Sequence, residues 1–127
     1  MSANNPLFKQ IGREACEIPN LLKKLGEVDY RKPISQDQAH MVDAIAAHAH
    51  NAQDMLIDGI GSLGRLMNIA GLNDQYTVHG EDLANLGALL AHLAVEVEFL
   101  RLTESDMRYI EREQKGLQAG AKQGAKS

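Results

Sequence analysis

Apolar residues recur along most of this chain at alternating intervals of three and four, the pattern of helices that each turn one face toward a neighbour. The longest unbroken series is Val42, Ile45, Ala49, Ala52, Leu56, Gly59, Leu63, Leu66 and Ala70. Ser35, with Gln38 three residues on, is a capping-box signature directly before it, so a helix is expected over about residues 36–70. Gly71 is the expected C-cap, and Asn73-Asp74 supply turn chemistry. A second stripe, Leu83, Leu86, Leu90, Leu93, Val97 and Leu100, predicts a helix over about 80–114 that starts between Thr77 and Gly80. Glu81 and Asp82 stand in its first turn, where carboxylates suit the positive end of the helix dipole. The stripe loosens at Glu104 and resumes through Met107 and Ile110. From Gly116 no apolar period remains, so residues 116–127 are expected to be a disordered tail outside a single helical domain, 1–115.

The N-terminal segment scans as helix too, with Phe8, Ile11, Ala15, Ile18, Leu22 and Leu25 spaced three and four, but Pro19 lies inside the run. An interior proline costs about 3 kcal/mol, so the expectation is a break near Ile18 and a restart with Pro19 as first residue. The fold class is therefore all-α: a long antiparallel helical hairpin with a shorter, proline-broken N-terminal helical segment.

Length turns this pattern into a prediction about surface. A helix over 36–70 is about 52 Å long, whereas a compact chain of this size has a radius of gyration of only about 14 Å. The short N-terminal segment can cover only residues 36–55 and their neighbours on the second helix. From Leu56 round the loop to Leu93 the hairpin lacks a third helix, and there the apolar residues overflow the stripe at Ile57, Ile60, Met67, Ile69, Leu72 and Leu89. Contiguous exposed apolar surface usually marks an interface. Two hairpins are expected to pair through these tips into a two-fold helical bundle, with Leu56, Ile57, Ile60, Gly61, Leu63, Gly64, Met67, Leu86, Leu89 and Leu93 at the contact.

Composition removes other classes. One hundred and twenty-seven residues make one domain, and thirteen Lys and Arg against seventeen Asp and Glu provide no basic field for nucleic acid. With no Trp and five other aromatics the palette favours helices over sheets. A lone cysteine, Cys16, makes no internal disulfide and reads as a small hydrophobe, which suggests a cytoplasmic protein. No uncharged apolar run of about eighteen residues occurs, so no membrane span is expected.

Candidate chemistry is thin. Gly59-Ile60-Gly61-Ser62-Leu63-Gly64 spells G-x-G-x-x-G with Asp82 roughly twenty residues on, but that motif needs a preceding strand, and here heptad helix precedes it. Small residues that permit close helix approach, or a kink, explain it better. A metal alternative rests on His40, His48, His50 and His92. Di-iron bundles need Asp or Glu three residues before His on two helices, and Asp37 with His40 is one such pair without a second. No nucleophile elbow appears, and Ser35, Ser62 and Ser105 have no patterned base. Acidic residues and Arg101, Arg108 and Arg112 alternate near the end of the last helix, as on a solvated face. The function expected is non-enzymatic and cofactor-free: a homodimeric interaction module with an unidentified protein partner, acting as a regulator, adaptor or inhibitor of a larger machine, phage or plasmid origin included. The alternative is a metal- or small-ligand-binding bundle using the histidines.

Overall fold

The computed structural model describes residues 5–7, 13–73, 75 and 77–126, and it is all-helical among them: α1 (Glu14–Leu25), α2 (Gln36–Gly71) and α3 (Gly80–Gly124). Phe8 and Ile11 of the N-terminal stripe lie outside the described residues.

Local chemistry explains each boundary. Glu14 and Glu17 sit in the first turn of α1 and Lys23 and Lys24 in its last, charges that complement the helix dipole. Gly26 then closes the helix at φ 64°, a left-handed conformation open to glycine, and its N–H bonds to the Leu22 carbonyl. The expected break at Pro19 does not occur: α1 passes through it. Proline gives up the bond to the Ala15 carbonyl and its ring crowds that carbonyl, but Ala15 is exposed to water. Burial of Ile18, Leu21 and Leu25 offsets that loss. The inward face therefore turns on Leu21, with Leu22 half-buried and Ala15 outside.

α2 begins with the full capping box. The Ser35 hydroxyl accepts from the Gln38 N–H at 3.1 Å, and the Gln38 side-chain oxygen accepts from the Ser35 N–H at 3.0 Å. The helix then runs 36 residues without interruption through Gly59, Gly61 and Gly64. Gly71 is its last helical residue rather than its cap; Leu72 caps it in right-handed geometry, so no left-handed glycine is needed. α3 opens at Gly80 behind His79, and it continues helical through Gly124, past Gly116 where the periodicity ends.

α2 is the centre of the molecule, and α1 and α3 each pack against it. Side-chain contacts between α2 and α3 run in opposite order along the two helices. Gln53 donates to Glu104 at 2.7 Å, Asp43 meets Arg108 at 3.5 Å, and the Ile34 N–H just before α2 donates to Gln114 at 3.0 Å. The two helices are therefore antiparallel where these pairs lie. The core joins Ile18, Leu21 and Leu25 to Val42, Ile45, Ala49, Leu100, Met107 and Ile110. Between Ala44 and Ala49 every residue of α2 is buried, four of them alanines. A helix buried all round needs partners on both flanks, and small side chains let both approach.

Two polar clamps fix this end. Gln114 donates to the Tyr30 and Lys32 carbonyls at 3.1 and 2.9 Å while accepting from Ile34, which ties the loop before α2 to α3. Tyr30 also meets Tyr109 edge to face at 5.3 Å. Buried Asn5 donates to the His40 carbonyl at 2.8 Å and to Asp43 at 2.7 Å, pinning the N-terminal segment onto α2.

Candidate interaction surface

Beyond Ala52 the burial stops. On α2 only Gln53, Leu56, Ile60 and Leu63 remain half-buried, and on α3 the matching apolar set is Leu86, Leu90, Leu93 and Val97. Of the ten interface residues expected from the sequence, five belong to this half-buried seam: Leu56, Ile60, Leu63, Leu86 and Leu93. The other five, Ile57, Gly61, Gly64, Met67 and Leu89, are exposed. The heptad stripe itself departs from expectation near the loop. Leu66 and Leu83 were expected to face inward, yet Leu66 is 62% exposed, and Leu83 is exposed as well. Ile60, placed by the pattern outside the stripe, turns inward instead. Together with Ile69 and Leu72, which is 85% exposed, these residues give the distal half a broad apolar surface.

The surface does not end where α1 begins. A groove of about 330 Å³ opens at the junction, lined by Ile18, Pro19, Met55, Leu56, Phe99 and Leu100. Its charged lining residues are carboxylates, Glu14 and Glu96. From it an exposed stripe runs along α3 through Val95, Phe99, Leu102 and Tyr109. The sequence reading missed this stripe. Its signal was the spacing of four, three and seven, hidden because the inner stripe had already claimed the neighbouring leucines and Asp106 interrupts it.

α3 contains a stretch long and apolar enough to cross a membrane, judged by length and composition, and little of it is buried.

The histidines separate rather than converge. His48 is fully buried, with Nδ1 3.8 Å from the buried carboxylate of Glu14, so it joins α1 to α2 in the interior instead of flanking the stripe. His40 is half-buried and lies 2.9 Å from the Gln36 amide. His50 is exposed beside Asp54 and Glu104, and His92 is exposed 3.6 Å from Glu96. No group of three or more His, Cys, Asp or Glu that could hold a metal forms among the described residues. Cys16 is exposed on α1, not a buried hydrophobe.

The charges of α3 form local pairs. The Arg101 guanidinium donates to Glu98 at 2.7 Å, and that hydrogen bond holds the Glu98 carboxyl below the ordinary range against the opposing effect of desolvation. Burial works against the charge of Arg108, but the hydrogen bond to Glu111 and the nearby Asp43 and Glu104 outweigh it and raise its pKa. A polar cleft beside this arginine, lined by Asn5, His40, Asp43 and Gln114, is largely occupied with these internal bonds. No protein-family model, curated protein or solved structure matches this chain.

Proposed function

We propose that this chain is a non-enzymatic helical interaction module that works as a homodimer, the second copy covering the apolar distal half of α2 and α3. One observation carries the reading: a chain with a packed three-helix end leaves Ile57, Leu66, Ile69, Leu72, Leu83 and Leu89 exposed at the other. Leaving such surface in water forgoes about 25 cal/mol for each Å² of apolar area, and an interface of standard size removes on the order of 1,600 Å² in total. A cytoplasmic regulator, adaptor or inhibitor of a larger assembly is the role that fits a small acidic chain of this kind. It takes an unidentified protein partner and needs no cofactor.

The solution mass tests it. Light scattering at micromolar concentration is expected to return the mass of two chains, and Leu63→Asp is expected to return one chain with its helix content intact. A wild-type mass of one chain overturns the reading. If that single chain also floats with phosphatidylcholine vesicles, the distal half serves lipid rather than protein.

A further inference from the structure

The distal half lacks a third helix, and α3 runs on past its clamp to the start of α2 into a stretch, 119–124, whose residues are all exposed. Gln114 is tied to the Tyr30 and Lys32 carbonyls and to Ile34. Beyond it α3 continues from Lys115 to Gly124, about 15 Å, with Leu117 half-buried and the other residues exposed. Gly116, Gly120 and Gly124 weaken this end of α3, and packing against another surface would offset that cost.

Charge says what that something is. Residues 54–98 carry seven carboxylate side chains and one cation, Arg65, whereas beyond Glu113 there are three lysines, Lys115, Lys122 and Lys126, and no carboxylate side chain. The overhang is therefore complementary to the distal half, while two distal halves would repel each other. Between these regions lies the outward stripe of α3, in which Val95 is 68% exposed, Phe99 55% and Leu102 48%. Glu96 and Glu98 flank it on one side, and on the other Arg108, Arg112 and Lys115 alternate with Asp106, Glu111 and Glu113, so the excess of positive charge begins only beyond Glu113.

We infer that two copies pair through α3, antiparallel, with the two-fold axis near Leu102. In that register the stripe packs on its own copy, and Glu96 and Glu98 fall alongside the partner's stretch that contains Arg108 and Arg112. The overhang of each chain then lies along residues 81–90 of the other and covers the distal half, as α1 covers the proximal half of its own chain. The inference rests on the homodimer proposed above and specifies which segment of the second copy does the covering.

Cys16, Leu102, Lys115 and Lys122 are exposed and Leu63 is half-buried, and circular dichroism checks that each variant keeps its fold. In a Cys16→Ser background, Leu102→Cys is expected to form a disulfide-linked dimer on mild oxidation, while Leu63→Cys stays monomeric on denaturing gels. Lys115→Glu combined with Lys122→Glu is expected to weaken dimerisation about tenfold or more, and added salt to weaken the wild-type dimer. A two-chain mass in which Leu63→Cys cross-links instead, and salt strengthens association, overturns this register and leaves the homodimer standing. A one-chain mass for the wild type overturns both.

Discussion

The proximal and distal halves of α2 carry the same three-four apolar pattern, yet they have opposite fates. Val42, Ile45 and Ala49 are wholly buried, whereas Leu63 is half-buried and Leu66 largely open to water. Nothing in the quality of the stripe separates them. The difference is the third layer: α1 lies over the first half and ends there, so two helices alone face water over the second. Periodicity tells which side of a helix prefers to be inside, but burial depends on how many neighbours are available to enclose it. A two-helix seam encloses a narrow strip, and the leucines beside that strip stay outside.

Paired substitutions test that contrast, beginning where the effect is largest. Ile45→Ala is expected to lower unfolding free energy by about 2–5 kcal/mol, because its cavity would be closed in by α1 and α3. Leu66→Ala should change it by no more than about 0.5 kcal/mol when measured by urea denaturation at a concentration where the chain is monomeric. Equal costs at the two positions would break the comparison. Gln114→Ala should cost about 1–3 kcal/mol, since it removes the partner of the Ile34 N–H and of two carbonyls and so loosens the proximal end alone. Ser35→Ala follows at about 1 kcal/mol, the usual value of an N-cap, and should appear as earlier fraying of α2 in amide exchange at residues 36–39.

How much of this was legible in the sequence depends on the kind of signal. The capping box was visible because Ser35 and Gln38 satisfy each other within one turn, and the bounds of α2 and the start of α3 followed from nearby residues. Pro19 misled, since its cost is fixed locally while the compensation comes from Ile18, Leu21 and Leu25 resting on α2, a separate helix across the loop. The region lacking a third helix could be located by length alone. Which residues it would expose could not, because the seam between α2 and α3 selects Ile60 and rejects Leu66 through a rotation that the spacing does not encode. His48 is the sharpest case. One position beside the stripe on a single helix becomes the interior of the molecule once α1 closes over it, opposite a glutamate thirty-four positions earlier.

The smallest expected effect concerns the glycines of α2, and it sharpens the comparison most, because under the proposed dimer its sign differs between the isolated chain and the assembled one. Within one chain Gly61 lies in uninterrupted helix, and a Cβ there would meet only the flexible end of Arg65 at 3.6 Å. Gly64 meets nothing within 4 Å. Alanine at either position should therefore stabilise the isolated chain by up to about 1 kcal/mol, the difference in helix propensity. If the glycines are there so that the partner's helix can come close, the same substitutions must weaken dimerisation while strengthening the monomer. Urea denaturation of dilute protein reads the first effect, and sedimentation of concentrated protein reads the second. A gain in both would mean that the covering helix does not pass over these glycines, which would confine the contact to the α3 side of the distal half.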